Sequence, residues 1–355
     1  MYLTRHDLKL PLDLTRTAEL ALLREHLHHE PAASLSETPA LGADGWLGGR
    51  ANEITVQLHS TRLHVPARIP GRRVHPVRPD AGPLPGASAW LYARIYGNLA
   101  RQDEILHEQL PHLLRRWTTP TEWWFIRHTD DGPHLRLRLR LPEAAAFTLA
   151  GERVGEWTMR LRAAGLATRL QLDTYQPETG RYGSGTAMNL AEQVFAADSR
   201  VALLQLTHAQ LARVDVRAVT AAGLVALAAG LLGTEGGVDW LIDHLPHGHG
   251  ARVGRDLHQQ AVRLGAPAGS WAELRESASG RDVLQAWEAR ARTLGEYRHH
   301  LDQDGELNPA DVLGSLLHLH YVRMLGIDRD GERLARHLAR AAATAASARR
   351  LAGAR

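Results

Sequence analysis

The chain has 355 residues, of which 44% are hydrophobic and 23% are charged, a composition typical of a globular protein. It contains no cysteine, which excludes disulfide frameworks, thiolate metal sites and cysteine nucleophiles. The formal net charge of +3 allows an acidic partner without requiring one.

Residues 1 to 87 are predicted to form an N-terminal unit that ends in a linker. Within it, residues 15 to 29 carry leucines at helical spacing, and residues 51 to 65 alternate as a pair of strands does. Residues 65 to 87 are rich in proline and arginine, which favours a linker over a helix or a sheet interior.

Two observations concern location. The N-terminus lacks the continuous apolar segment of a secretory signal. The run from Ala218 to Gly233 is shorter than the roughly 20 residues of a membrane span and is rich in alanine and glycine, so we expect a buried helix there. We therefore expect a cytoplasmic protein with no membrane contact.

Residues 88 to 355 are predicted to form a second domain, and its first half alternates between strand and helix patterns in the order βαββαβ. This order predicts an α+β fold with a ferredoxin-like antiparallel sheet. From Ala187 onward only helical periodicity is found, which predicts a C-terminal helical layer that covers the open sheet face. The predicted segments are 90–96, 103–117, 122–128, 134–141, 143–164 and 168–176.

The strand at 134–141 sets leucine against arginine in strict alternation, as "HLRLRLRL". Because side chains of a strand alternate between its two faces, Arg136, Arg138 and Arg140 must share one face. Two explanations stay open at this point. The arginines either extend into water and pair with carboxylates of neighbouring strands, or they face an anionic ligand.

Familiar cofactor motifs are missing from the sequence. "HLPHGHG" brings together His244, His247 and His249, but it has no helical histidine pair and no carboxylate at a familiar spacing. "GSGTAMNLAE" lacks both the lysine of a P-loop and the glycine spacing of a dinucleotide site, and "YGSGT" is not a nucleophile elbow. We expect neither a metal nor an organic cofactor.

Two further stretches carry candidate site residues. "YQPETGRYGSG" leaves a strand through a glycine turn, where Arg181 and Tyr182 can reach a cleft. "GSLLHLHYVRMLG" places Ser315, His318 and Tyr321 along one stripe of a helix. Packing roles for His318 and Tyr321 are the alternative.

Five stretches, taken together, resemble the elimination domain of class I lantibiotic dehydratases and its relatives in thiopeptide biosynthesis. The resemblance covers residues 88 to 340, which implies that residues 88 to 355 form an elimination-domain-like catalytic domain, and it leaves residues 1 to 87 outside. It implies one of two reactions on a ribosomally made peptide. The stretches are "WLYARIYG", "DEILHEQLPHLL", "WWFIRHTDDGPHLRLRLR", "YQPETGRYGSG" with "AEQVFAADS", and "SLLHLHYVRMLG".

Elimination domains of this superfamily remove glutamate from glutamylated serine or threonine to leave dehydroamino acids. Thiopeptide pyridine synthases use the same fold to join two dehydroalanines in a formal aza-[4+2] cycloaddition, with loss of water and leader peptide. The chain has Pro177 where eliminases usually carry an arginine, Val322 where they carry an asparagine, and Ser184 in place of a second glycine. These departures favour the pyridine synthase.

The resemblance also implies roles for single residues. Arg136 and Arg138 correspond to residues that hold an acidic or carbonyl-rich part of the substrate, and Tyr182, Arg181 and Ser184 lie in the substrate-binding turn. For the pyridine synthase, Tyr321 is the predicted proton donor, with His318 and Ser315 as its partners.

The implied substrate is a dehydrated and heterocyclised precursor peptide that still carries its N-terminal leader, and no nucleic acid partner is expected. Leaders are often acidic amphipathic helices, so the basic segment within residues 1 to 87 is a possible docking surface. The alternatives are a stand-alone glutamate-elimination subunit of a split tRNA-dependent dehydratase and a non-catalytic scaffold that binds the leader.

Overall fold

The computed structural model describes residues 1–5, 8–30, 32–37, 82, 84–117, 122–247, 253–265 and 271–353. The chain divides into two compact units, Met1–Pro70 and Gly71–Arg355, and this division falls within the segment predicted as a linker. The strand pair predicted at 51–65, most of the segment 65–87 and His249 lie outside the described residues.

The first unit contains a three-stranded antiparallel sheet of order β2-β1-β3, with one helix between β2 and β3. Its elements are β1 (Tyr2–Arg5), β2 (Leu8–Pro11), α1 (Thr17–His29) and β3 (Ser34–Ser36). The helix predicted at 15–29 is confirmed but starts two residues later, because the Asp13 carboxylate binds the backbone N–H and hydroxyl of Thr15 and holds a turn there. No residue of α1 is buried.

The first half of the second unit has the predicted βαββαβ order, and its antiparallel sheet runs β5-β6-β4-β7, the ferredoxin-like strand order. The predicted helix 103–117 is divided into three segments, because Pro111 has no N–H to donate and the preceding turn widens to a π-helix. The elements are β4 (Trp90–Tyr96), α2 (Gln102–Glu104), the π-turn Ile105–Gln109, α3 (Leu110–Leu114), β5 (Trp123–His128), β6 (His134–Arg140), α4 (Phe147–Ala163) and β7 (Arg169–Asp173).

One face of this sheet is apolar and belongs to the core. The leucines of β6, Leu135, Leu137 and Leu139, are at most 2% exposed, and α4 packs on β4 and β7 from this side. The alternation predicted for the arginine strand is therefore confirmed, since the leucines and the arginines point to opposite faces.

The rest of the second unit is helical, as predicted. The run at 218–233 forms a helix, α7, that is buried along most of its length and packs against six other helices. No helix among the described residues is long and apolar enough to span a membrane. The helices are α5 (Thr179–Tyr182), α6 (Thr186–Ala212), α7 (Val216–Leu232), α8 (Thr234–His244), α9 (Arg255–Leu264), α10 (Ala272–Arg275), α11 (Ala278–Asp304), α12 (Pro309–Leu325) and α13 (Arg329–Gly353).

Helices α6 and α12 meet the sheet at its edge strand β5. The backbone N–H of Phe125 donates to the Ser199 hydroxyl of α6 at 3.2 Å, and the Phe125 carbonyl accepts from Arg323 Nε of α12 at 3.1 Å. Side chains from two helices thus bond backbone groups that an edge strand leaves without a neighbouring strand. This contact brings both helices beside the arginine face of the sheet.

Candidate functional site

The arginine face is the sheet face that carries Arg136, Arg138 and Arg140, and the pairing register of β4, β5 and β6 determines which side chains surround them. Arg136 lies opposite Arg94 of β4, Arg138 lies between Tyr92 of β4 and Trp124 of β5, and Arg140 lies opposite Trp90. The three arginines of β6 share this face, as predicted, but their surroundings differ from one end of the strand to the other.

Arg138 is the buried cation of this face, with 7% exposure. Its guanidinium carbon lies 4.3 Å from the ring centre of Tyr92, 4.0 Å from that of Trp124 and 5.5 Å from that of Tyr175. Nε and Nη1 have no hydrogen-bond partner, and burial lowers the pKa of Arg138 to about 10. Aromatic faces stabilise the charge in part, but a buried cation without a carboxylate in hydrogen-bond contact is costly.

Arg136 and Arg140, by contrast, have carboxylate partners. Arg136 Nη2 lies 2.5 Å from Asp130 in the β5–β6 hairpin, and its Nε donates to His134 Nε2 at 3.1 Å. Arg140 lies 3.5 Å from Glu122 and is 37% exposed. Carboxylate pairing therefore accounts for these two arginines, and Arg138 is left as the candidate for an anionic ligand.

Arg323 of α12 approaches Arg138 from the helical layer. Its guanidinium is fully buried, lies 5.6 Å from the ring centre of Phe195 and acts electrostatically on Arg138. Nη1 donates to Asp198 at 2.8 Å, whereas Nη2 has no partner. A second buried donor is therefore unpaired close to the first.

Asp198 is the centre of a buried ion network. Its carboxylate accepts hydrogen bonds from Arg290 at 2.5 Å, from His320 Nδ1 at 2.8 Å and from Arg323. Burial by itself raises the pKa of Asp198, but His320 and the two arginines outweigh that effect and hold the pKa far below its usual range. Two arginines against one carboxylate leave this network with an excess positive charge.

Tyr182 lies in the glycine turn, just before Gly183, and contacts the same aromatic cluster as Arg323. Its ring packs edge-on against Phe195 with centres 4.9 Å apart, and its buried hydroxyl has no partner. The turn needs Gly183, because φ is +89° there and a Cβ atom would lie 2.5 Å from the Cβ of Ala187. Arg181 and Ser184 are exposed on the same turn, and Arg181 pairs with Glu178 at 2.9 Å.

The predicted stripe of α12 meets the start of α13. Glu332 accepts a hydrogen bond from His318 Nδ1 at 3.0 Å, and the His318 side chain is 43% exposed. Tyr321 is buried with its hydroxyl beside Gly331, and burial together with the Asp328 carboxylate raises its pKa. Ser315 is partly buried on the same helix. The structure thus brings Arg138, Arg323 and Tyr182 together, whereas His318 and Tyr321 both contact the first turn of α13.

The sequence did not single out Glu192 of α6, which is 3% exposed on the arginine face. The Tyr175 hydroxyl donates to its Oε1 at 2.7 Å. Burial raises the pKa of Glu192 to about 7, and nearby Glu122 adds to the increase. The only sequence signal is its place in "AEQVFAADS", the stretch that also contains Asp198.

Within the described part of the chain, one group of three side chains has the spacing of a metal site: His128, Asp130 and His134, with ligand atoms within 4.8 Å of one another. Arg136 already donates to both Asp130 and His134, so its guanidinium supplies the positive charge for this group. In the other candidate cluster, His244 stacks on Trp240 and bonds its carbonyl oxygen.

Comparison with known proteins identifies a family for this chain. Residues 90–343 match the family described as lantibiotic biosynthesis dehydratase C-term. The chain is 23% identical over 252 residues to the subtilin biosynthesis protein SpaB of Bacillus subtilis, a match covering 68% of this chain and 24% of that protein. It is 29% identical over 157 residues to the nisin biosynthesis protein NisB of Lactococcus lactis subsp. lactis, covering 43% and 15%. The chain thus spans a quarter or less of these relatives.

Two solved structures resemble the fold. The tRNA-dependent lantibiotic dehydratase MibB from Microbispora sp. 107891 has a TM-score of 0.63 and 25% identity, with 98% of this chain and 36% of MibB covered. The pyridine synthase TbtD from thiomuracin biosynthesis has a TM-score of 0.51 and 18% identity, with 73% of this chain and 98% of TbtD covered. With a family match over residues 90–343, most of its length, the chain belongs to the lantibiotic biosynthesis dehydratase C-terminal family.

Proposed function

We propose that the chain removes glutamate from glutamylated serine or threonine in a ribosomally made precursor peptide. The observation that carries this proposal is the buried, unpaired guanidinium of Arg138, with unpaired donors of Arg323 and Tyr182 close by. Family membership and the similarity to a dehydratase over 98% of this chain support an enzyme that modifies peptides.

The charge of the substrate decides between the two reactions of the family. A glutamyl group attached through an ester still carries one free carboxylate, and its departure as glutamate creates a second carboxylate. A dehydroalanine peptide in a cycloaddition is neutral at the reacting atoms. A buried site with more guanidinium than carboxylate is complementary to the first substrate and has nothing to neutralise in the second.

The elimination needs a base and a site for the leaving group. The base removes the α-proton, the electrons of that C–H bond form the Cα=Cβ double bond, and the Cβ–O bond breaks so that glutamate leaves as a carboxylate. We propose His318 as the base, because Glu332 bonds Nδ1 and leaves Nε2 free to accept a proton, and because α12 carries both His318 and Arg323. Arg138 and Arg323 stabilise the departing carboxylate.

The second candidate is the pyridine synthase that the sequence favoured. Ser315, His318 and Tyr321 lie on one helix, and the buried Tyr321 hydroxyl keeps its proton at neutral pH. Tyr321→Phe keeps the ring and removes that proton. It should slow a cyclisation by about 10² and leave an elimination unchanged.

The test compares two substrates with the purified full chain. One is a precursor peptide already glutamylated on serine, and the other is its dehydrated and heterocyclised form. Loss of glutamate with formation of dehydroalanine, followed by mass spectrometry, supports the elimination. Loss of water and release of the leader from the second peptide would overturn it in favour of the pyridine synthase.

The proposed partner is the leader region of the precursor peptide, docked on residues 1 to 87. The basic segment of that region lies outside the described residues, and helix α1 within it exposes Leu20 and Leu27, which share one helix face. An apolar stripe beside basic sequence is complementary to an acidic amphipathic helix. This arrangement needs no nucleic acid, since the chain acts on peptide that has already been glutamylated.

A further inference from the structure

The arginine face contains one buried carboxylate to which the proposed elimination gives no role. Glu192 accepts the Tyr175 hydroxyl at 2.7 Å and makes no ion pair among the described residues. Tyr175 is itself 3% exposed, and its ring contacts Trp90 and Trp124 at centre distances of 5.1 and 5.8 Å. Its ring centre is also 5.5 Å from the Arg138 guanidinium. The Tyr175 and Glu192 pair therefore adjoins the unpaired cation.

The groups around Glu192 come from each element packed against it. Arg138 and Arg140 of β6 act on it as cations, Glu122 ahead of β5 acts as a like charge, and Tyr175 after β7 supplies the hydrogen bond. Arg140 also forms an ion pair with Glu122. Burial together with Glu122 brings the pKa of Glu192 to about 7, so both of its protonation states occur near neutral pH.

The two protonation states differ in what Arg138 can bind. Ionised Glu192 places a negative charge beside the cation and repels an incoming carboxylate through a medium of low dielectric. Neutral Glu192 removes that charge and leaves the guanidinium available. Because binding and protonation then depend on each other, an anion that binds at Arg138 must raise the proton affinity of Glu192.

We propose that Glu192, held by Tyr175, is a positioning residue that takes up one proton when a carboxylate-bearing substrate group binds at Arg138. The inference rests on the proposed function, since it assigns the anion to the same site. The proton comes from solvent on binding and returns when glutamate leaves, so the cycle is balanced without a further reactant.

The first measurement uses free glutamate as the probe. Its binding to the full chain is followed calorimetrically at pH 8 in two buffers of different ionisation enthalpy. The wild type should take up about one proton for each glutamate bound, because Glu192 is ionised before binding at that pH. Glu192→Gln should bind glutamate with no uptake, since Gln still accepts the Tyr175 hydrogen bond but cannot titrate. Equal uptake by both proteins would overturn the inference.

The second measurement is the pH dependence of KM for glutamylated peptide. For the wild type, KM should rise by up to about tenfold for each pH unit above the Glu192 pKa, and Glu192→Gln should flatten this rise. Glu122→Gln is the matched control: it removes the like charge, so the rise should persist and begin at a lower pH. A purely structural role of Glu192 would lower activity equally at all pH values and would contradict the proposal.

Stability gives a readout without any ligand. Glu192 has a raised pKa in the folded protein, so its ionisation destabilises the fold as pH rises from about 4.5 toward 7. Glu192→Gln should therefore melt at an increasingly higher temperature than the wild type across this range, and parallel curves would count against the inference.

Failure of the inference and failure of the proposed function give different results. If glutamate is eliminated but KM has the same pH dependence in both proteins, the function holds and the inference is wrong. If only dehydrated peptide is converted, yet glutamate binds with proton uptake, the inference holds and the function is wrong.

Discussion

At the scale of single residues, Arg138 and Arg136 show how the same residue type on one strand meets two environments. Alternation along β6 predicts that they share a face, and this is confirmed. Which arginine pairs with a carboxylate depends on the hairpin carrying Asp130 and on the loop carrying Tyr175. Those contacts depend on how distant segments fold together, so spacing within the strand could not reveal them.

Replacing Arg138 should affect turnover more than folding. Arg138→Leu removes the unpaired charge along with the cation–π contacts, and these changes offset each other, so we expect a stability change within about 2 kcal/mol. Loss of a buried donor to the leaving carboxylate should lower kcat/KM by about 10² to 10³. Melting temperature and rate of glutamate release provide the comparison.

The matched control for that variant is Arg140→Leu, on the same face but 37% exposed and paired with Glu122. It should leave kcat/KM within a few-fold of the wild type. If Arg138→Leu is as active as this control, Arg138 has no part in the reaction and only packs between its aromatic neighbours.

Asp198 should matter mainly for folding. Asp198→Asn leaves Arg290 and Arg323 buried without a counter-charge, and we expect a loss of about 3 to 5 kcal/mol in the free energy of unfolding. The pKa of Asp198 is lowered in the folded protein, so this stabilisation is present above its unfolded pKa and is lost as pH falls below it.

Denaturant titration of Asp198→Asn and Asp130→Asn at pH 7 checks this expectation. Asp130 also binds arginine, but it is 44% exposed, so its loss should cost within about 1 kcal/mol. Equal effects of the two substitutions would show that the buried network is not a main source of stability.

At the scale of elements, local sequence patterns predicted the helices and strands better than they predicted the tertiary contacts. Strand β4 has the predicted bounds, and α7 forms where a buried helix was expected. Periodicity cannot tell which histidine of α12 is buried: His320 bonds Asp198 inside the protein, whereas His318 reaches Glu332 at the surface. Both lie on one helix two positions apart, and only the packing of α6 and α13 distinguishes them.

Helix α1 provides a prediction at this scale. Leu27 is 47% exposed and no residue of α1 is buried, so Leu27→Glu should leave the melting temperature unchanged. If an acidic amphipathic leader helix binds to α1, the same substitution should weaken leader affinity about tenfold, because it replaces an apolar contact with a negative charge that repels the leader. Fluorescence titration with labelled leader measures it.

Leu211→Glu is the control for that experiment, since Leu211 is 69% exposed but belongs to α6 in the other unit. It should bind leader as the wild type does. Equal affinities in all three proteins would move the leader site away from α1.

At the scale of the whole molecule, the order βαββαβ followed by helices is sufficient to predict the architecture, because a hydrophobic sheet face and helix stripes have few ways to pack. The reaction is not determined at this scale. This chain resembles both MibB, a lantibiotic dehydratase, and TbtD, a pyridine synthase, so the fold is compatible with either reaction.

The bonds that Ser199 and Arg323 make to Phe125 also concern solubility. An edge strand with free backbone groups invites pairing with strands of other molecules, and here residues 74 and 198 positions further along the chain occupy those groups. During synthesis the sheet is made long before Arg323, so the nascent chain exposes the unpaired backbone groups of edge strand β5 until α12 has been made. A fragment that ends after β7 should therefore aggregate.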